Sequence, residues 1–358
     1  MKIALLGAGR IGQTIAQWLH QSGSYDVTVA DHDPAALLRM EENGFAVQRL
    51  SVDDSNALQR LAAQQDAIIN ALPFSVAVQV AQACAAVGTH YFDLTEDVAA
   101  TQQIEQLAAT TQATAFMPQC GLAPGFVGVA AHSIARQFDH VDQIKMRVGA
   151  LPRYPNNHLK YNITWSPDGL VNEYCQPCQA IRNGTLQTVQ PLQDLEQLTI
   201  NGTAFEAFNT SGGLGTLCEV LKGKVTNLDY KSIRYPGHAQ YMRFLLDDLQ
   251  FRDRQQALIQ LLQDTIPAAR QDIVIVFIAV SGWIQGRYEQ DVFTRTIMGR
   301  QTGEYAGRAI QIATAAGVCT VVDLFREGKL PSEGFIGQDA VSLDDFLLNK
   351  FSQAYRAS

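Results

Sequence analysis

Residues 2–12 read KIALLGAGRIG, an apolar run followed by glycines at positions 7, 9 and 12. In this G-x-G-x-x-G spacing, Gly7 permits a tight turn and Gly9 lets backbone amides approach a pyrophosphate, while Gly12 lets a helix pack close to the strand. The start of that helix supplies free N–H groups and a dipole that attract phosphate charge. The segment therefore predicts the first strand, turn and helix of a dinucleotide-binding α/β domain. A glycine turn without a ligand is the alternative.

Asp31 lies 19 residues after Gly12, at the predicted end of the second strand. A carboxylate at this position accepts hydrogen bonds from both ribose hydroxyls and would repel a 2′-phosphate. His32, Asp33 and Pro34 come next, so the sequence supplies no neighbouring Arg or Lys to bind such a phosphate. We therefore predict NAD rather than NADP as the cofactor.

The end of the fourth predicted strand supplies further backbone beside the cofactor. Residues 69–74 read INALPF and lie at the carboxyl edge of the sheet, where ligands of doubly wound domains bind. Alternatively, Pro73 only ends the strand and begins a loop. The predicted cofactor contacts are Gly7, Gly9, Arg10, Ile11, Gly12, Asp31, Ala71, Leu72 and Pro73.

The first 121 residues alternate short apolar runs with helical patterns. Strands are predicted at 2–6, 27–30, 46–50, 67–70, 91–93 and 114–117, and helices at 11–21, 34–43, 55–64, 76–87 and 98–111. Strands joined by helices of this length form crossover units. They predict a parallel, doubly wound Rossmann sheet.

After Gly121 the pattern changes to longer β-rich segments, at 144–150, 161–165, 187–189, 197–200, 272–284 and 293–299. These segments predict an open, mostly antiparallel sheet in a second, α+β domain. A helical segment follows from about residue 303 to 325. Its small-residue face would allow close packing against another element; the alternative is an ordinary alanine-rich core helix. That face consists of Ala306, Ala309, Ala313 and Ala316. We predict a Rossmann domain at 1–121, completed by helices at about 303–358, and a second, substrate-binding domain at 122–302.

The composition is that of a globular enzyme, with 47% hydrophobic and 17% charged residues in 358 positions, enough for two domains. No apolar run approaches the roughly 20 residues that cross a bilayer, and no cleavage site precedes the first strand. A formal net charge of −8 without a basic run gives no electrostatic site for nucleic acid or anionic lipid. We expect a cytoplasmic protein whose partner is a small molecule.

Six cysteines are scattered along the chain, and Cys175 and Cys178 form one C-x-x-C. Because no further ligands follow at metal-binding spacing, we interpret them as reduced thiols and expect no metal.

Several segments, taken in order, carry a family resemblance. They are GAGRIG (7–12), ACAAVGTHYFDLTE (83–96), GLAPGF (121–126), WSPDG with NEY (165–169 and 172–174), NTSGGL (209–214) and IRYPGH (233–238). Together they resemble the saccharopine dehydrogenase-like family over nearly the whole chain. The resemblance implies a Rossmann domain with an inserted catalytic domain built on a large mixed sheet, a nicotinamide cofactor and homodimers. It also implies oxidation of a C–N bond in a lysine-type amino acid.

Oxidation of an amine by NAD requires a neutral amine, so a base must first accept a proton. Asp93, at the end of a predicted strand, is our first choice to contact the reacting amine, with Thr95 and Glu96 beside it. Alternatively, Asp93 or Thr95 caps the following helix.

His238 is the predicted proton carrier, because it lies in the loop PGH and its ordinary pKa near 6.5 suits proton exchange. Arg234 is predicted to hold the substrate α-carboxylate, and Glu173 to neutralise the α-ammonium. Ordering of a loop by Arg234 and His238, and an exposed helix-end position for Glu173, are the alternatives. The hydroxyls and amides of Thr210, Ser211 and Gly212 complete the predicted substrate contacts, unless they form only a turn.

Three functions follow from these residues: a lysine-type amine dehydrogenase, a saccharopine-type enzyme acting on a secondary amine, and a nucleotide-binding protein without turnover. A substrate with two α-carboxylates would need several convergent Arg or Lys residues. Because Arg234 is the main cation within the motifs of the second domain, the sequence favours the smaller substrate.

Overall fold

The first strand, the glycine turn and the first helix form where the sequence predicts them. The structure is a computed structural model that describes residues 1–300, 303 and 306–356. The strands in these residues are β1 (Lys2–Leu6), β2 (Asp26–Asp31), β3 (Ala46–Arg49), β4 (Ala67–Asn70), β5 (His90–Asp93), β6 (Ala115–Met117), β7 (His140–Pro152), β8 (Cys178–Arg182), β9 (Thr185–Val189), β10 (Glu196–Ile200), β11 (Thr203–Asn209), β12 (Val225–Arg234), β13 (Asp272–Ile284), β14 (Arg287–Met298) and β15 (Gly334–Phe335).

The helices follow the same chain order. They are α1 (Arg10–Gln21), α2 (Pro34–Glu42), α3 (Ser55–Ala62), α4 (Ala77–Val87), α5 (Val98–Thr110), α6 (Phe126–Ala135), α7 (Pro167–Cys175), α8 (Leu217–Leu221), α9 (His238–Arg243), α10 (Gln255–Thr265), α11 (Ala309–Arg326) and α12 (Leu343–Leu348). A π-helical turn, Phe244–Asp248, continues α9.

The first sheet is parallel throughout, in the order β15-β6-β5-β4-β1-β2-β3. Its first six strands lie within two residues of the predicted bounds. Apolar side chains fill both faces of β1 and β4, as expected for strands covered by helices on both sides. The carboxyl ends of β1, β2, β4 and β5 therefore meet at one edge, which bears the glycine turn. The predicted Rossmann fold is confirmed.

The second sheet is mixed, in the order β10-β11-β12-β7-β13-β14, and β8 and β9 extend it from β12. Among these strands only β12 and β7 pair in parallel. The sequence did not indicate β12 because polar residues interrupt it, yet these residues are paired: buried Arg147 of β7 contacts Asp229 at 2.8 Å and also contacts Glu196. A buried charge is tolerated when it is paired in this way. The predicted mixed sheet is confirmed.

The strand predicted at 161–165 is wrong. Ile163 forms only an isolated bridge with Ala268, and the segment turns sharply at Lys160, whose φ is 52°. The buried polar side chains of Asn162 and Thr164 bond to nearby loop residues and Tyr161 rather than alternating with a solvated face. The alternating pattern of residues 161–165 therefore reflects side-chain hydrogen bonds in a loop, and not a strand of a sheet.

α11 returns the chain to the first lobe. The predicted helix start at about 303 falls partly on residues 301–302 and 304–305, which lie outside the described residues, and the helix itself begins at Ala309. Ala309, Ala313 and Ala316 are fully buried, and a Cβ on Gly317 would overlap the carbonyl oxygen of Gly121. By length and composition α11 would also suit a membrane, but 78% of it is buried within the protein.

Candidate active site

The glycine turn leaves open space in front of α1. Gly7 has a φ of 103°, and a Cβ on Gly12 would overlap the Gly7 carbonyl oxygen, so the backbone itself requires both glycines. A Cβ on Gly9 would instead meet no protein atom within 4 Å. The space at Gly9 borders the first N–H groups of α1, which is what a pyrophosphate needs.

Asp31 lies at the other side of this turn. Its carboxylate accepts hydrogen bonds from the Ala8 N–H at 2.7 Å and the Asp33 N–H at 2.9 Å. It borders a cavity of about 260 Å³, which is also lined by Ser51, Asp53, Leu72 and Pro73. The end of β2 is where the adenosine ribose of a dinucleotide binds in this fold. The predicted residues Asp31, Leu72 and Pro73 thus come together around a space that fits an adenosine.

A larger cavity of about 400 Å³, the main cavity, extends from the glycine turn to the second lobe. The first lobe contributes Gly9, Arg10, Ile11, Gly12, Ala71, Leu94 and Glu96, the second contributes Trp165, Glu173, Ser211, Tyr230 and Arg234 among others, and Arg308 joins them from the start of α11. Apolar and aromatic walls carry a few charged groups, which is the usual character of a ligand site. The residues present therefore fit a dinucleotide whose reactive end shares a chamber with a second molecule.

Two carboxylates and a guanidinium lie together in the main cavity. Glu173 Oε1 contacts Arg234 Nη2 at 2.9 Å. Burial raises the pKa of Glu96 to about 7, with further repulsion from Asp97 and Asp93. Burial also raises the pKa of Glu173 to about 7, although Arg234 opposes the rise, and Glu96 adds to it. Arg10 and Arg308 also line the cavity, so its two described carboxylates face three arginines, of which Arg234 pairs with Glu173.

His238 lies behind this cluster. Arg234 Nε donates to the Tyr174 hydroxyl at 2.8 Å, and that hydroxyl lies 3.1 Å from His238 Nε2. Since arginine only donates, the hydroxyl donates to Nε2, and Nδ1–H donates to the Leu159 carbonyl at 2.9 Å. Burial and Arg234 lower the pKa of His238 to about 3. His238 is therefore neutral, and it does not line the main cavity.

Asp93 is also buried behind the cavity surface. One carboxylate oxygen accepts from the backbone N–H groups of Thr95 at 3.0 Å and Gln119 at 2.8 Å, and the other accepts from the Tyr91 hydroxyl at 2.8 Å. Burial raises its pKa to about 6, against these hydrogen bonds. The cap of α5 is Asp97, which accepts from the Ala100 N–H. Asp93 thus braces the loop that presents Glu96.

The loop of residues 209–213 supports both carboxylates. The Ser211 N–H donates to the Glu173 carbonyl at 3.0 Å. Gly212 has a φ of 85°, and a Cβ there would overlap the Glu96 carbonyl oxygen. Thr210 instead exchanges a hydrogen bond with Ser232 at 2.8 Å and does not itself line the main cavity, although Ser232 does. Of the three predicted contacts in this loop, only Ser211 reaches the cavity.

Sequence reasoning missed Arg308 and Trp165. Both line the main cavity, and Arg308 Nη1 is buried without a hydrogen-bond partner among the described residues. Trp165 was quoted only as part of a motif, and Arg308 lies in no motif. Over the described part of the chain, no three His, Cys, Asp or Glu side chains converge on a metal-sized site.

Two family models match this chain. The saccharopine dehydrogenase NADP binding domain matches residues 3–117, and the saccharopine dehydrogenase C-terminal domain matches residues 121–353, more than half of the sequence. The chain belongs to the saccharopine dehydrogenase family. This membership confirms the resemblance, the oxidoreductase class and a nicotinamide cofactor.

Curated relatives match a smaller part. The mitochondrial alpha-aminoadipic semialdehyde synthase of Bos taurus is 24% identical over 227 residues, which are 56% of this chain and 24% of that protein. The Rattus norvegicus protein of the same name is 24% identical over 197 residues, 52% of this chain and 21% of that protein. The chain thus spans about a quarter of the length of these relatives.

Solved structures share the whole fold. Apo histidine-tagged saccharopine dehydrogenase (L-Glu forming) from Saccharomyces cerevisiae superposes with a TM-score of 0.78 at 16% identity, over 97% of this chain and 96% of that chain. C. glutamicum DAP dehydrogenase in complex with DAP has a TM-score of 0.51 at 9% identity, over 99% and 97% of the two chains. At these identities the similarity shows the fold alone.

Proposed function

We propose that this member of the saccharopine dehydrogenase family oxidises the C–N bond of a free lysine-type amino acid with NAD, releasing ammonia and a semialdehyde. One observation carries the proposal: Glu96 and Glu173 face the same cavity as the glycine turn. Two partly desolvated carboxylates there would attract an ammonium group far more strongly than in water. A diamino acid offers two such groups.

Glu96 is the proposed proton acceptor. Its pKa of about 7 lies near neutral pH, where general base catalysis is most effective. A Cβ on Gly169, in the first turn of α7, would come within 2.7 Å of Glu96 Oε1, so that glycine leaves room for the carboxylate. A bound nicotinamide supplies the hydride acceptor, and water then replaces the nitrogen of the oxidised carbon. Glu96 would take the amine proton and return it to the departing ammonia.

Glu173 and Arg234 are proposed to orient the rest of the substrate. Their ion pair is buried and held by Tyr174, so it presents a fixed pair of opposite charges. An amino acid carries the complementary pair, an α-ammonium and an α-carboxylate. Arginine binds carboxylates well because its guanidinium can donate two parallel hydrogen bonds to one carboxylate. We propose this role although Arg234 already uses part of its hydrogen-bonding capacity on Tyr174 and Glu173.

NAD is proposed over NADP because Asp31 and Asp53 both border the adenosine-side cavity. Two carboxylates there would repel a 2′-phosphate. We also propose a cytoplasmic homodimer that pairs through the second lobe. Exposed apolar side chains on β13 and β14 support the dimer: Trp283, Tyr288, Val292 and Met298.

The test is a nicotinamide absorbance assay with NAD and NADP against lysine, ornithine and saccharopine. We expect NAD reduction with lysine, together with one ammonia per NADH. Light scattering on the same preparation would test the dimer. Cofactor binding without reduction by any substrate would indicate a nucleotide-binding protein without turnover and contradict the proposal.

A saccharopine-type activity on a secondary amine is the second candidate. The match to the Saccharomyces cerevisiae saccharopine dehydrogenase structure over 97% of this chain favours it. The main cavity also contains Arg10 and Arg308 in addition to Arg234, more cations than the motifs indicated. Reduction of the cofactor with saccharopine, and release of an amino acid in place of ammonia, would decide for this candidate.

A further inference from the structure

A second large cavity lies beside the main one and is not explained by the proposed reaction. It measures about 490 Å³ and lies between the flank of α1 and the ends of β7, β13 and β14. We call it the arginine cavity, after the five arginines among its described lining residues: Arg10, Arg153, Arg270, Arg300 and Arg308. They come from both lobes and from segments far apart in the sequence.

The positive charge of this cavity is not neutralised by the described residues around it. Asp272 is the only acid among those lining residues. Its two oxygens accept from the Ala309 N–H at 2.8 Å and the Ile310 N–H at 3.0 Å, so it caps the start of α11. None of the five arginines forms an ion pair with a residue of the described ranges, and Arg308 Nη1 is buried without any partner. Water and salt screen part of the repulsion among these arginines, four of which are exposed, and an anion bound between them would lower it further.

The arginine cavity is separate from the expected place of the cofactor phosphates. The pyrophosphate belongs at the first N–H groups of α1, which face the main cavity. The arginine cavity instead runs along Gln13, Thr14 and Gln17, one and two turns further into α1. Among the residues that the structure describes, the two cavities share only Arg10, Arg308 and Gln311. A ligand here would therefore lie beside a bound dinucleotide without displacing it.

We propose that the arginine cavity binds a small multivalent oxyanion, a tricarboxylate or a polyphosphate, while the cofactor is bound. Planar guanidinium groups match carboxylate and phosphate oxygens two at a time, and convergent arginines select for several charges on one molecule. Because both lobes line the cavity, such an anion joins them and stabilises their association. The inference does not depend on the proposed amino acid substrate.

The test is calorimetric titration of the full chain, saturated with NAD, with citrate and separately with inorganic pyrophosphate at constant ionic strength. The variant is Arg270→Gln/Arg300→Gln, which leaves Arg10 and Arg308 in place. The matched control is Arg39→Gln/Arg60→Gln: it removes the same charge at two exposed positions outside the cavity. We expect one site whose affinity falls at least about tenfold in the variant and stays unchanged in the control.

Binding of citrate alone would assign a carboxylate ligand, and binding of pyrophosphate alone or of both would assign multivalent charge; each result supports the site. Equal weakening in variant and control would show nonspecific attraction and overturn the proposal. So would an anion that competes with NAD and ignores Arg270 and Arg300, because it would occupy the cofactor phosphate site. A higher KM for saccharopine in the variant, without a change in citrate affinity, would make the cavity a substrate subsite and also overturn it.

Discussion

At the scale of single residues, burial decides which of the acids near the cofactor is available. Asp93 and Glu96 are three positions apart, and both have a pKa raised by burial. Asp93 is 1% exposed and bonds to two backbone N–H groups, whereas Glu96 borders the main cavity. The proposed base is therefore Glu96, whereas the sequence made Asp93 the first choice to contact the reacting amine and His238 the proton carrier.

Glu96→Gln tests this role and also has a pH signature. Loss of the base should lower kcat/KM by about 10²–10⁴. Because folding raises the pKa of Glu96 to about 7, the protonated form stabilises the fold at low pH, and that contribution disappears as the pH rises through 7. The Tm of the ligand-free variant should thus fall less between pH 5.5 and 8.5 than that of the wild type. Glu105→Gln, on the exposed side of α5, is the control and should change neither measurement.

His238→Ala should act through position and not through proton transfer. It leaves the Tyr174 hydroxyl without an acceptor and the Leu159 carbonyl without a donor, so the free energy of unfolding should fall by about 2–4 kcal/mol in urea titrations. Tyr174→Phe removes the same bridge to Arg234. Both variants should therefore lower kcat/KM to a similar extent. Because the pKa of His238 is about 3, the pH profile should keep its shape between pH 5 and 8. Loss of an acid limb near pH 6.5 in the variant would instead make His238 the proton carrier.

At the scale of elements, short turns do the positioning. The β1–α1 turn opens a phosphate-sized space, and the loop of residues 209–213 passes directly beneath Glu96 because Gly212 has no side chain. α7 begins at the cap of Ser166 and brings Glu173 to the cavity on the same face as Arg234. Each of these elements is local, but the site exists only where they meet.

Gly9→Ala and Gly12→Ala form a matched pair within one turn. An added Cβ at Gly9 meets no protein atom, so the fold should keep its Tm while NAD affinity falls at least about tenfold, because the methyl group fills the pyrophosphate space. An added Cβ at Gly12 overlaps the Gly7 carbonyl, so Tm and affinity should fall together. Thermal melts and NAD fluorescence titrations measure both effects. Normal NAD binding by Gly9→Ala would show that the cofactor lies elsewhere.

At the scale of the whole molecule, the last segment of the described chain joins the lobes. The Tyr355 ring stacks on the Phe126 ring, with 3.7 Å between the ring centroids, and the Tyr355 hydroxyl donates to the Ala313 carbonyl of α11 at 2.7 Å. Arg295 of β14 donates to the Tyr355 carbonyl at 2.7 Å. One residue thereby contacts α6, α11 and the second sheet.

Tyr355→Ala should lower the free energy of unfolding by about 3–5 kcal/mol, because it leaves a cavity where three elements meet. Tyr355→Phe removes only the hydrogen bond and should cost about 1 kcal/mol. Leu348→Ala is the control: Leu348 is 79% exposed and should change stability by less than about 0.5 kcal/mol. Urea unfolding measures all three. Equal stability of Tyr355→Ala and Leu348→Ala would show that this segment does not hold the lobes together.

The sequence by itself determined the Rossmann lobe, the glycine turn and the family. These depend on contacts between residues close in the chain and on strands and helices that alternate at short intervals. It also named Glu96, Glu173 and Arg234, since each lies in a short motif. Only the tertiary structure decided which of the predicted residues face the main cavity, that β12 joins β7, and that five scattered arginines share one cavity. Side-chain burial and strand pairing depend on residues up to about three hundred positions apart in the chain, such as Arg10 and Arg308. A local sequence pattern cannot predict such contacts.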